Sequence, residues 1–147
     1  MSLFKERNNM KILILCTGNS CRSQMAEGFL KSFDPEMNVF SAGTNPSSRV
    51  HPKAVQVMRE AGIDISDAKP DDVAIYLDQS FDYVITVCSN AKVTCPTFMG
   101  DVKEKLHIGF DDPADAVGTE DEILAEFRRV RDEIKRDFRQ FYERVKK

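Results

Sequence analysis

The sequence predicts a single α/β domain, a three-layer fold in which a mainly parallel four-stranded sheet is flanked by helices on both faces. Three observations predict it. Short apolar runs of strand length alternate with segments whose apolar residues recur every three or four positions. The first such run feeds a polar, glycine-containing segment that opens a helix, as parallel crossovers do. The 147 residues, 41% of them hydrophobic, suffice to bury one core without cross-links.

Residues 11–15 (KILIL) read as a buried strand ending at Cys16. From Arg22 the period changes: Met25, Ala26, Phe29, Leu30 and Phe33 mark a helix that Asp34-Pro35 stops. Residues 38–42 (NVFSA) read as a second strand ended by Gly43, followed by the loop TNPSSRV. Pro52 suits the first turn of the next helix, whose apolar face is Ala54, Val55, Met58 and Ala61 and whose cap is Gly62. A short helix is expected after Pro70, on Val73, Ala74 and Leu77. Residues 82–88 (DYVITVC) are a β-branched and aromatic strand, and residues 105–110 (KLHIGF) a fourth. The last helix begins at a capping box, Thr119-Glu120-Asp121-Glu122, and carries Ile123, Phe127, Val130, Ile134, Phe138, Phe141 and Val145 as one stripe.

Composition removes several classes of function. Twenty-four acids against 21 bases give a net charge of −3, which argues against a nucleic-acid-binding polycation. The basic end of the last helix complements the helix dipole. No apolar run approaches the roughly 20 residues that cross a bilayer, and none at the N-terminus has the length of a signal-peptide core. Residues 1–10 read as an extension, in part an expression leader, ahead of a domain spanning 11–147. A cytoplasmic monomer is expected. Four cysteines (16, 21, 88 and 95) in a reducing compartment are not staples, and their spacing is not that of a zinc site. No metal site is expected.

The segment Cys16-Thr17-Gly18-Asn19-Ser20-Cys21-Arg22-Ser23 joins the first strand to the first helix. Successive backbone N–H groups in such a turn converge on an anion, and the helix start adds a positive dipole end. Arg22 offers a planar fork to two oxygens of a tetrahedral anion. Gly18 is expected to take a backbone conformation closed to other residues. The field that attracts an oxyanion also stabilises a thiolate, so Cys16 is expected to be ionised, with Ser23 as a hydrogen-bond partner. Cys-x5-Arg alone is common; after an apolar strand and before a helix it reads as nucleophile plus bound oxyanion. His51 and His107 are poor candidates for a Cys–His pair, one beside a helix start and the other within a strand.

CTGNSCRSQMAEG (16–28) resembles the phosphate-binding loop of the low-molecular-weight protein tyrosine phosphatase family, and in particular that of its thioredoxin-coupled arsenate reductases. The likeness continues through VFSAG (39–43), GIDIS (62–66), VITVC (84–88), GFDDPA (109–114) and RVRDEI (129–134). It implies the phosphatase-like fold and an oxyanion (arsenate, phosphate or sulfate) in the loop. It also implies a general acid at Asp112, which precedes Pro113; Asp111 is its neighbour. For a reductase it implies a relay in which Cys16 attacks arsenate, Cys88 attacks the thiol–arsenic adduct and Cys95 takes over the disulfide. Thioredoxin is then the electron donor, with no tightly bound cofactor. Otherwise Cys88 is a buried strand cysteine, Cys95 a surface thiol and Cys21 structural. In the family Asn19 is strained and held by a polar network, for which Glu27, Ser41 and Asp71 are candidates. Some reductases bind potassium there; either the Lys69 ammonium replaces it or Lys69 is a solvated surface lysine.

Phosphotyrosine phosphatases of the family carry aromatic walls, including tyrosines after Asp-Pro. Here Ala114 and Asp115 follow, and TNPSSRV has no aromatic ring. That favours a small inorganic oxyanion over an aryl ester. The alternatives are a phosphomonoester phosphatase and a non-catalytic oxyanion-binding or redox-sensing module.

Overall fold

The structure is a computed structural model and describes residues 10–88 and 97–146. Cys95 and most of the N-terminal extension lie outside them. Strand β1 (Lys11–Cys16) is followed by helix α1 (Arg22–Phe33), strand β2 (Asn38–Gly43) and helix α2 (Pro52–Glu60). A 3-10 turn (Val73–Tyr76) leads into strand β3 (Phe81–Thr86), strand β4 (Val102–His107), a second turn (Pro113–Asp115) and helix α3 (Glu120–Val145). The strands pair in the order β2-β1-β3-β4, all parallel. Among the described residues no helix is long and apolar enough to cross a membrane.

Central β1 is buried on both faces, which is why it reads as an unbroken apolar run. The two faces are covered unequally. Ile12, Ile14 and Cys16 meet all three α-helices, through residues such as Met25 and Phe29 of α1, Met58 of α2 and Phe127, Ile134 and Phe138 of α3. Leu13 and Leu15 meet the turn residues Val73 and Tyr76, with Phe81 and Val84. Each large side chain so buried contributes about 1.5–3 kcal/mol.

The capping box of α3 forms as expected: Thr119 Oγ1 accepts from the Glu122 amide, and Glu122 Oε1 accepts from the Thr119 amide. Past α2, Gly62 takes φ +84, and its amide and that of Ile63 close the last turn. Val57, not Ala61, completes the buried face of α2. The fourth strand lies three residues earlier than expected. It is an edge strand with exposed Lys103, Glu104 and Lys105, so it lacks an apolar signature. The apolar Ile108 and Phe110 follow it, still bonded by their amides to the Thr86 and Val87 carbonyls. The third strand likewise ends at Thr86, before Cys88.

Candidate functional site: a phosphate-type loop with two thiols

All four strands run the same way, so their carboxyl ends share one edge, where α/β sheets bind ligands. Cys16 closes β1 there and α1 starts at Arg22. The carbonyls between them are held from outside. Those of Cys16, Thr17, Gly18 and Ser20 accept from the amides of Thr44, Asn45, Ser47 and His51 in the segment after β2. The Asn19 carbonyl accepts from Gln24 Nε2, and that of Cys21 from the Met25 amide. With the oxygens drawn outward, the N–H groups of Gly18 to Arg22 find no acceptor among the described residues. That polarity suits a bound anion.

Asn19, not Gly18, carries the left-handed backbone of this loop, at φ 53. Gly18 serves close approach, since a Cβ there would lie 2.8 Å from Ser47 Oγ. The same holds for Gly43, whose Cβ would run into the Thr17 carbonyl. Fully buried Asn19 is locked from four sides. Its Nδ2 donates to Ser23 Oγ at 2.7 Å and Ser41 Oγ at 2.9 Å, and its Oδ1 accepts from the Asp71 amide at 2.9 Å and from Gln24 Nε2 at 3.2 Å. Ser41 in turn donates to Glu27 Oε1, and Tyr76 to Asp71 Oδ2. Ser23 Oγ accepts from Asn19 Nδ2, and no bond from its hydroxyl to the Cys16 sulfur is formed among the described residues. Gln24 is the member that sequence reasoning missed; its place one turn beyond Asn19, on the buried side of α1, was the available signal.

Lys69 is exposed, and its carbonyl joins the network by accepting from Gln24 Nε2. The ammonium beside Glu27 belongs to Lys31, one turn along the same helix. A cavity of about 750 Å3 lies behind the loop, bordered by Gln24, Glu27, Ser41, Lys69, Asp71 and Tyr76. It is separate from the sulfur side of the loop.

Arg22 is 7% exposed. Its NH1 donates to the Phe110 carbonyl at 3.1 Å, and NH2 lies 3.3 Å from Asp112 Oδ2. Buried Nε has no acceptor among the described residues, a donor left for a ligand oxygen. Asp112 caps the turn before Ala114 with its other oxygen. Asp111 faces away, to Arg129 on α3. The aspartate before proline is therefore the one beside the loop.

Cys88, just past β3, places Sγ 3.5 Å from Cys16 Sγ and 3.6 Å from Thr17 Oγ1. Each thiol shapes the other. The contact with Cys88, then burial, pushes Cys16 up. The contact with Cys16, helped by Thr17 and Arg22, holds Cys88 below the ordinary thiol value. The two thiols titrate as a pair, and in the arrangement seen Cys88 Sγ donates to Cys16 Sγ. Cys21 caps α1 with no side-chain bond to the helix, and burial pushes its thiol up to about 12. His51 Nδ1 accepts from the Lys53 amide, and its ring packs on Phe127; His107 bonds Thr86. Neither ring contacts a cysteine among the described residues.

The family model described as low molecular weight phosphotyrosine protein phosphatase matches residues 11–147. An arsenate reductase of Halalkalibacterium halodurans is 49% identical over 137 residues, 92% of this chain and 97% of that protein. A solved arsenate reductase in a phosphate-binding state superposes with a TM-score of 0.75 at 32% identity, covering 92% of this chain and 98% of the other. A thioredoxin-dependent arsenate reductase of Corynebacterium glutamicum gives 0.58 at 27% identity, covering 90% of this chain and 63% of the other.

Proposed function

The chain belongs to the low molecular weight phosphotyrosine protein phosphatase family, and from that premise we propose that it reduces arsenate to arsenite with its own cysteines. The contact between Cys88 and Cys16, 3.5 Å from sulfur to sulfur, carries the reading. Hydrolysis of a phosphate ester needs a nucleophile, an anion cradle and an acid; a second buried thiol against the nucleophile adds nothing to it. Reduction needs two thiols, because arsenic gains two electrons.

The loop amides and Arg22 hold arsenate above Cys16. The Cys16 thiolate forms the S–As bond as an arsenate oxygen leaves, protonated by Asp112. Cys88 Sγ then attacks Cys16 Sγ. The S–As pair of electrons passes to arsenic, arsenite departs and a Cys16–Cys88 disulfide remains. Closing from 3.5 Å to an S–S bond is a movement of about 1.5 Å. Cys95 next attacks Cys88 and frees Cys16. An external dithiol, thioredoxin in this proposal, reduces the Cys88–Cys95 bond. The protein acts as a cytoplasmic monomer. The exposed, non-aromatic flank at Ala114 and Asp115 supports a small inorganic substrate. Asp112 beside Arg22 supports slow phosphomonoester hydrolysis as a secondary activity.

The test compares Cys88→Ser with the wild-type protein. Arsenite production driven by thioredoxin, thioredoxin reductase and NADPH falls at least about 10³-fold. Aryl phosphate hydrolysis stays within about tenfold. Sustained arsenite production by the variant overturns the reading.

A further inference from the structure

The chain that follows β4 runs on beside the chain that leaves β3. The Ile108 amide donates to the Thr86 carbonyl, and the Phe110 amide to the Val87 carbonyl. Between those two bonds lies Gly109, against Cys88. Its φ is not in the left-handed region, so backbone strain does not call for glycine there. Space does. A Cβ on Gly109 would lie 2.8 Å from the Cys88 carbonyl oxygen and 2.8 Å from His107 Nε2, where ordinary contact begins at 3.4 Å. The His107 ring is exposed and free to turn away from such an atom. The Cys88 carbonyl is backbone and has no rotamer to escape into.

The other side of the contact is fixed. Phe110 is buried, its ring stacks on Phe138, its amide is bonded to Val87, and its carbonyl accepts from Arg22 NH1. Residue 109 therefore cannot recede, and a side chain on it displaces Cys88. Cys88 Sγ stands 3.5 Å from Cys16 Sγ, already at contact, so a shift of its backbone by half an ångström moves the sulfur off its line of approach.

We infer that Gly109 is a positioning residue for Cys88: its bare backbone is what lets the second thiol rest against the first. That the placed sulfur serves arsenate reduction rests on the reading proposed above; the placement itself does not.

The test uses the full chain, with Cys95→Ser in every protein so that the bond stays where it forms. Hydrogen peroxide oxidises one of the two thiols to a sulfenic acid. The other thiol attacks that sulfur, water leaves and the Cys16–Cys88 disulfide forms. Dimedone in excess captures the sulfenic acid that is not attacked. Mass spectrometry of peptides gives the ratio of disulfide to dimedone adduct at these two cysteines. In Gly109→Ala the ratio falls at least about tenfold. Phosphate affinity stays within about threefold, which shows a folded protein with Arg22 in place. His107→Ala at this exposed position leaves the ratio within about twofold. In the protein carrying both changes the defect of Gly109→Ala persists, because the Cys88 carbonyl is still in the way.

An unchanged ratio in Gly109→Ala overturns the inference. So does recovery in the double variant, or a fall in His107→Ala alone, either of which assigns the effect to the ring. An equal fall in phosphate affinity overturns it too, since Phe110 and Arg22 would then have moved instead of Cys88. No arsenate enters the measurement, so these results leave the reductive reading standing. Absence of arsenite production by the wild-type protein would remove that reading and leave the placement of Cys88 intact.

Discussion

Two neighbouring strands end at the same edge of the sheet and are finished in opposite ways. After β1, every carbonyl from Cys16 to Cys21 is tied, and Asn19 is held at φ 53 by four side-chain or amide partners. After β3, Cys88 is placed by two backbone bonds at Val87, one to Leu15 and one from Phe110, and by soft sulfur contacts. In the proposed reaction the first exit keeps a fixed concave row of amides against the pull of an anion, and the second presents a sulfur that then changes partners.

Three changes probe that contrast, in falling order of effect. Asn19→Ala leaves the left-handed position without its side chain and strips partners from Ser23, Ser41 and the Asp71 amide. A loss of about 2–4 kcal/mol in urea unfolding is expected. Phosphate affinity, read by calorimetry, should fall at least about tenfold for the same reason. Unchanged stability would mean that the loop is held by its carbonyl ties alone.

Gln24→Ala removes a donor shared by the Asn19 carbonyl, Asn19 Oδ1 and the Lys69 carbonyl. The expected cost is about 1–2 kcal/mol. Its effect should not add to that of Asn19→Ala, which a double-mutant cycle measures.

His51→Asn is the mildest. Burial, with Lys53 and Arg49 nearby, lowers the His51 pKa in the folded protein, and its Nδ1 caps α2 only when unprotonated. The folded value lies below the unfolded value of about 6.5, so the native state disfavours the added proton. The stability from the neutral ring is therefore present above pH 6.5 and is lost as pH falls through the lower folded value. Asparagine caps equally well and does not titrate. The variant loses the ring contact with Phe127 at every pH, but between pH 8 and pH 5 it should lose less further stability than the wild-type protein, as thermal melts would show.

Much of this was legible before any coordinates. The order of elements, the first loop and the box at Thr119 all follow from local residues, while Asp112 was singled out over Asp111 by the family resemblance. The local readings rest on periodicity, proline placement and capping, which act over a few positions. The misreadings have a common cause. β4 is an edge strand whose side chains face solvent, so apolar periodicity shifted it toward Ile108 and Phe110. Gly18 was expected to take the unusual backbone because glycine usually does, whereas Asn19 takes it because four groups, two of them far along the chain, hold its side chain.

By itself the sequence determined a parallel α/β domain, a cysteine and a polar, glycine-containing loop at the end of its first strand, and a second thiol just past the end of its third. Only the tertiary structure decided that those two sulfurs stand 3.5 Å apart in hydrogen-bond contact. Separated by 72 positions, they meet because β1 and β3 pair in register from Ile12 against Tyr83 to Leu15 against Thr86. A titration that belongs to two groups at once exists only when the fold has brought both into one dry site.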